Sequence, residues 1–183
     1  AEYGHLLMPC SESVFASLTD TETPQGIVAA GERPLLSPDF ELVNGQALYL
    51  VIDGVQDPGN LGTMIRTAAA AGVKAMFCLK GTVDPYNPKV LRATMGTIFR
   101  MPIITGLGAE AVVSQLRGEG CMFVAADLEG TKYHYELNYG GKIAFIIGNE
   151  GQGIGEYLLS QADAKVKIPL AQGVESLNAG VAC

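Results

Sequence analysis

Apolar runs of strand length recur along the chain from Ala47 onward: Leu48–Ile52, Lys74–Leu79, Met101–Ile104, Met122–Ala126, Ile143–Ile147 and Val166–Ile168. Each is continuously apolar rather than alternating, the pattern of strands buried on both faces. Between them, Asn60–Ala71, Lys89–Thr97 and Ala109–Arg117 have helical length and composition, and Val112, Val113 and Leu116 fall on one face of the third. Strands alternating with helices predict an α/β fold with a mostly parallel sheet flanked by helices.

Residues 1–31 have a different character. Ser11–Leu18 predicts a short amphipathic helix, Thr19–Gly26 is a turn cluster, and Ile27–Ala30 reads as a strand. Residues 32–46 hold Pro34, Pro38 and an Asn44-Gly45 turn around a helical turn near 39–43, and are expected to be a linker. The other end is unusual for a chain terminus. Val166–Cys183 starts as a strand, stops at Pro169, turns at Gly173 and enters a small-residue, helix-like run carrying Ser176 and Asn178. Termini are usually polar and frayed, so this apolar stretch is expected to be buried.

Composition narrows the class. Of 183 residues, 48% are hydrophobic and 17% charged, enough for one substantial core. No apolar run approaches the roughly 18–20 residues that cross a bilayer, and no signal peptide is visible. Membrane association is therefore not expected, and the cytoplasm is the expected location. Cys10, Cys78, Cys121 and Cys183 lack metal-ligand spacing and read as reduced cysteines, and His5 and His134 are isolated, so no metal is expected. A net charge of -7 argues against gripping nucleic acid by overall charge, but leaves room for a local basic patch.

Three stretches carry candidate chemistry. After the first strand comes Asp57-Pro58-Gly59-Asn60-Leu61-Gly62, with Asn60 expected to cap the helix that follows. Asn60, Thr63 and Arg66/Thr67 are expected to share a face. Arg66 is the only charged residue between Asp57 and Lys74, and either pairs with Asp53 or Asp57 or faces an anion or ribose. After the Ile143–Ile147 strand, Gly148–Gly155 holds four glycines in eight residues, which allows close backbone approach to a ligand. It is neither a Walker loop nor a complete dinucleotide fingerprint, because position 156 is Glu. The third stretch is the terminal one, where Ser176 and Asn178 taken alone would be cap or turn residues.

In this order the three stretches resemble the motifs of the SpoU-type ribose methyltransferases of the SPOUT superfamily: Asp-Pro-Gly-Asn-Leu-Gly…Arg-Thr-Ala, Ile-Gly-Asn-Glu-Gly-Gln-Gly and Ile-Pro-Leu…Ser-Leu-Asn. The segment Asp84–Gly96 is similar to the family's middle portion. The resemblance implies a C-terminal trefoil knot, S-adenosylmethionine held by the backbone around Gly148, Ile168 and Leu177, and a homodimer with each active site near the interface. It further implies that Asn60, Arg66, Glu150, Ser176 and Asn178 position or activate a ribose 2′-hydroxyl of rRNA or tRNA, with rRNA favoured. Lys89 and Arg92, with Arg66 and Arg100, form the candidate basic patch for that RNA. Residues 1–31 resemble the end of an RNA-binding domain like ribosomal protein L30e, and 47–183 the catalytic domain.

The terminal stretch departs from the family pattern. The third motif reads Asn178-Ala179-Gly180-Val181-Ala182, in which Gly180 is expected to weaken a helix by up to ~1 kcal/mol relative to alanine. A terminal helix of about two turns is marginal without packing. Because arginine stays protonated, Arg66 is expected to stabilise a developing alkoxide rather than act as a simple base. The alternatives are a catalytically silent RNA-binding or scaffolding dimer that keeps the fold and, less favoured, an α/β nucleotide-binding enzyme using the glycine loop.

Overall fold

The computed structural model describes residues 6–19, 21–32 and 45–183. The chain divides into two compact units, Ala1–Leu35 and Leu36–Cys183. In the first, helix α1 (Glu12–Ser17) starts at Ser11, whose hydroxyl accepts from the Val14 N–H, and none of its residues is buried. Ile27–Ala30 forms no strand: Ile27 is 83% exposed, with no partner strand among the described residues. The expected helical turn near 39–43 lies outside the described residues.

The second unit is a seven-stranded sheet in the order β3-β2-β1-β6-β4-β7-β5. Its strands are β1 (Ala47–Ile52), β2 (Ala75–Cys78), β3 (Ile103–Thr105), β4 (Met122–Ala126), β5 (Lys132–Tyr133), β6 (Lys142–Ile147) and β7 (Ala164–Lys167). Every pairing is parallel. The helices are α2 (Pro58–Ala70), α3 (Pro88–Thr94), α4 (Ala109–Gly118), α5 (Glu156–Gln161) and α6 (Ala179–Ala182). A 3-10 turn, Thr97–Arg100, follows α3.

The continuous apolar strands are explained by two cores. Tyr49, Val51, Phe77, Phe123 and Ile146 point to the side where Val112, Val113 and Leu116 of α4 and Leu158 of α5 pack. Leu50, Ile52, Met76, Ile103 and Ile147 point to the opposite side, against Leu61, Met64, Ile65 and Ala68 of α2 and Val90 of α3. On that second side a smaller cluster of Val124, Ile143 and Val166 meets half-buried Leu48 and Phe145. Alternate side chains of each strand thus enter opposite layers, so neither face is polar.

Several local expectations are corrected. Asp57, not Asn60, caps α2: its carboxylate accepts from the Asn60 N–H at 2.7 Å, and Pro58 takes the first helical position, where a missing N–H is harmless. The predicted Lys89–Thr97 helix stops at Thr94, because Met95 and Gly96 are left-handed at φ +50° and +82°. The terminal stretch is buried only at its two ends: Val166 and Gly180 are buried, residues 171–178 are all exposed, and only the last four residues before Cys183 are helical. Pro169 and Gly173 interrupt it, and Asn178 supplies the cap that lets α6 begin. Gly180 has a packing reason. A Cβ there would lie 3.3 Å from Asn60 Cα and from Thr63 Cβ, so its absence lets α6 lie against α2. Helix α5 and strand β5 are too short, at six and two residues, to show a periodicity.

Candidate functional site

The carboxyl ends of β1, β6, β4 and β7 lie side by side at the point where strand order reverses between β1 and β6, the usual ligand crevice of an open parallel sheet. The loop after β6 is held in one shape. Asn149 and Gly153 exchange backbone hydrogen bonds at 2.9 Å, and the Asn149 side chain accepts from the N–H groups of Gly151 and Gln152. Its amide donates to the Gly54 carbonyl at 2.7 Å, and the Gly155 N–H donates to Asp53 at 2.8 Å. These bonds tie the glycine loop to the loop after β1. Gly148 is confined by the same hairpin, since a Cβ there would lie 2.3–2.4 Å from the backbone of Gly153 and Ile154.

Beside this loop is a cavity of about 1110 Å³, lined by Gly148, Glu150, Ile168, Leu170, Ser176 and Leu177 among others. It runs on across the sheet face at Leu48, Ile143 and Phe145. The three residues expected to hold a cofactor, Gly148, Ile168 and Leu177, therefore line one space, with Ser176 and Glu150. The donor set fits an adenosyl group: apolar Ile168, Leu170 and Leu177 for a flat base, backbone polar groups of the glycine loop, and carboxylates of Asp127 and Glu150 on the lining.

Asn60 and Asn178 join that site through hydrogen bonds. Asn60 Nδ2 donates to Glu150 Oε1 at 2.9 Å, Asn178 Nδ2 donates to Asn60 Oδ1 at 2.8 Å, and the Gly180 N–H donates to Asn178 Oδ1 at 3.0 Å. One residue from each of the three motifs is thus linked in a single chain. Burial raises the Glu150 carboxyl, but hydrogen bonds from Asn60 and from backbone N–H groups, including Gln56, outweigh it and hold the group below its ordinary value. Glu150 is therefore an ionised acceptor at neutral pH and a weak proton acceptor.

Arg66 is not brought to this group. Six residues beyond Asn60, it is rotated by about 240° around α2 at 3.6 residues per turn. Thr67, not Arg66, reaches the main cavity, while Arg66 lines a second space of about 420 Å³ with Lys74 and Arg100. Of the expected shared face of Asn60, Thr63 and Arg66/Thr67, Thr67 is thus the member on the cavity side and Arg66 is not. Among the described residues Arg66 pairs with neither acid: Asp53 accepts from Gly155, and Asp57 caps α2. Lys89 and Arg92 are exposed on α3 and line neither space.

Sequence reasoning missed Asn149, although an Asn followed by Gly two residues later is a turn signal. It also missed Lys74 as a neighbour of Arg66, because the two belong to different elements. Burial pushes the Cys78 thiol up to about 12, with Asp84 adding to the effect, and the Cys183 thiol up to about 11, so neither is a ready nucleophile.

The profile of the SpoU rRNA Methylase family matches residues 47–183. A 23S rRNA (guanosine(2553)-2'-O)-methyltransferase, RlmP, of Bacillus subtilis is 40% identical over 172 residues, which is 94% of this chain and 67% of the relative. A 23S rRNA (guanosine-2'-O-)-methyltransferase, RlmB, of Ralstonia nicotianae is 31% identical over 183 residues, covering 98% of this chain and 74% of the relative. The AdoMet-bound rRNA methyltransferase of Sinorhizobium meliloti superposes with a TM-score of 0.87 at 33% identity, over 94% of this chain and 66% of that one. The AviRb methyltransferase of Streptomyces viridochromogenes, in complex with AdoMet, superposes with a TM-score of 0.76 at 29% identity, over 82% and 59%. The chain thus spans roughly two thirds of the length of such proteins.

Proposed function

The chain belongs to the SpoU rRNA methylase family, and we propose that it transfers a methyl group from S-adenosylmethionine to a ribose 2′-hydroxyl of ribosomal RNA. The observation that carries this reading is the Glu150–Asn60–Asn178 hydrogen-bond chain, which draws three distant motifs together beside one cavity. The 2′-O-methyltransferase names of its relatives and the AdoMet in its structural neighbours support the same chemistry.

In this reading Gly148, Ile168 and Leu177 hold the cofactor, which when bound supplies an electrophilic methyl group. Glu150 fixes which way the Asn60 amide points, and Asn60 in turn orients Asn178. Each amide nitrogen carries two N–H groups and uses one in the chain, so the second remains for the hydroxyls of a ribose. Ser176, on the cavity wall, adds a hydroxyl that both donates and accepts. Held ionised by its donors, Glu150 orients rather than removes the proton, which passes to solvent water as the hydroxyl oxygen takes the methyl group and S-adenosylhomocysteine leaves. Arg66 stabilises the alkoxide as it forms, a role suited to a group that keeps its charge.

The protein acts as a homodimer in this proposal. Within one chain Arg66 faces away from Ser176 and Glu150, so an arginine at the ribose comes from a second copy. The terminal segment after β7 closes the trefoil knot of the family, residues 1–31 are the end of a preceding RNA-binding domain, and 32–46 link it to the catalytic unit. Lys89 and Arg92 contact RNA outside both cavities, and the protein works in the cytoplasm. No described helix is long and apolar enough to cross a membrane.

The test is incubation with unmodified 23S rRNA and radiolabelled S-adenosylmethionine, followed by mapping of 2′-O-methyl groups. Incorporation at a single ribose is expected. Label appearing only on a base, or no label from a protein that binds S-adenosylhomocysteine, would overturn the reading.

A further inference from the structure

The second space lies between the C-terminal half of α2, the loop into β2 and the 3-10 turn, and three cations line it: Arg66, Lys74 and Arg100. Its other walls are small or apolar, including Ala69, Ala70 and Pro102, and no carboxylate is among the described residues that line it. No hydrogen bond or ion pair to the three cationic side chains is present among the described residues. Nor are the cations needed to satisfy the end of α2. The carbonyls of Thr67, Ala68 and Ala69 already accept from the N–H groups of Ala71, Val73 and Gly72. In a chain with a net charge of -7, three converging and unopposed cations from three segments mark a site for an anion.

An aromatic surface stands next to it. Ile98 is buried and anchors the 3-10 turn, while its neighbour Phe99 is 75% exposed and Met95 is equally exposed. Met95 holds φ +50°, a region that non-glycine residues rarely enter, and Gly96 follows at +82°. The 3-10 turn that follows them carries Phe99 and Arg100 as consecutive exposed residues, Arg100 on the wall of the second space. A cationic groove beside an exposed aromatic ring is how proteins hold single-stranded nucleic acid, by phosphate contact and base stacking.

We propose that Lys74 and Arg100, in the cavity they share with Arg66, form a phosphate subsite for the RNA strand next to the ribose that Arg66 serves, and that Phe99 stacks an adjacent base. The proposal rests on the RNA-methyltransferase reading and goes beyond it: it adds Lys74 and Phe99, and gives Arg100 of the candidate basic patch a phosphate to hold. All three side chains are exposed, so their replacement leaves the core intact.

The experiment measures binding of an unmodified in-vitro transcript of 23S rRNA across a salt series, with S-adenosylhomocysteine calorimetry in parallel. The double variant Lys74→Gln/Arg100→Gln is expected to lose about tenfold or more in RNA affinity, and its log–log salt slope to fall by about 0.7 for each lost phosphate contact. Phe99→Ala is expected to weaken binding about fivefold or more without changing the slope, and Phe99→Tyr to restore it. S-adenosylhomocysteine affinity stays at the wild-type value in all of them. If the wild type binds the transcript and the double variant matches it in affinity and slope, the subsite is wrong while the methyltransferase reading stands. If the wild type binds no RNA, both fall.

Discussion

Asn60 donates its side-chain amide to the Glu150 carboxylate at 2.9 Å, across ninety residues of sequence. The same amide accepts from Asn178 at 2.8 Å, so one side chain holds the first motif against both the second and the third. Asn60→Ala removes both bonds. The group is partly exposed and water replaces much of what is lost, so stability should fall by only about 1 kcal/mol. Methyl transfer should fall far more, about 100-fold or beyond, because the ribose-orienting amides lose their fixed direction. Thermal unfolding and single-turnover methyl transfer on the same variant check the split. A variant that loses stability and activity in proportion would make Asn60 a structural residue.

The glycine loop gives a second prediction. A Cβ on Gly148 meets the backbone of Gly153 and Ile154 at 2.3–2.4 Å, and backbone in a stapled hairpin cannot swing aside as a side chain would. Gly148→Ala should cost about 1–3 kcal/mol, the usual range for overpacking. It should also abolish S-adenosylhomocysteine binding in calorimetry, because the displaced hairpin forms the cavity wall. A variant with a lower melting temperature and unchanged affinity would separate the loop's packing from the site.

Glu150 gives a pH prediction. Its folded pKa lies below the unfolded carboxyl value, since its hydrogen-bond donors outweigh its burial. Its stabilising contribution is therefore fully present above the unfolded value of about 4.3 and is lost as pH falls through the folded value. Comparing the wild type with Glu150→Gln by denaturant unfolding should show a constant difference from pH 8 to pH 5, shrinking below that. An NMR titration of the carboxyl group should place its midpoint below that of a model glutamate. A midpoint above it would make Glu150 a competent proton acceptor and overturn its orienting role.

The fold was more legible in the sequence than the site, and particular residues show why. Tyr49 and Leu50 enter opposite cores, so continuous apolarity in β1 was a sound sign of a parallel sheet covered on both faces. The cap of α2 was misread because Asp57 and Asn60 are both good capping residues, and only Pro58 at the first helical position separates them. Arg66 shows the harder limit. Its motif was visible, but whether it or Thr67 faces the ribose depends on about 100° of rotation per residue, and an ungapped motif does not set that phase. Gly180 read as a weakness by helix propensity alone, whereas its contact distance to Asn60 is a tertiary fact.

That contact leads to a prediction for the terminal helix. By propensity, Gly180→Ala should stabilise α6 by up to ~1 kcal/mol. The new methyl group would stand 3.3 Å from Asn60 Cα, which cannot retreat without moving α2. Alanine should therefore bring no gain in stability. Gly180→Val should shift Asn178 away from Asn60 and reduce methyl transfer about tenfold or more, the cost of a misplaced orienting group. Because α6 is the last four-residue helix, the melting temperature of the sheet should barely move. A stabilised, fully active Gly180→Ala protein would show that α6 is not held against α2 in solution.

The placement of Arg66 makes the final prediction the most discriminating. In one chain, Arg66 opens on the cavity with Lys74 and Arg100, whereas Ser176 and Glu150 face the other. If the arginine at each ribose is donated by a second copy, then Arg66→Ala and Asn178→Ala damage different halves of a shared site. Each variant alone should be inactive, while Arg66→Ala should keep its S-adenosylhomocysteine affinity because Arg66 does not line that cavity. Mixed in equal amounts and allowed to exchange subunits, they should form heterodimers in which one composite site carries both lesions and the other carries neither. Random pairing makes half of the dimers heterodimers, so about one quarter of the wild-type activity should return. Analytical ultracentrifugation confirms the dimer, and methyl transfer by the mixture reads the complementation. No recovery from a demonstrably mixed dimer would place Arg66 and Asn178 in the same protomer's site and would require α2 to turn before the reaction.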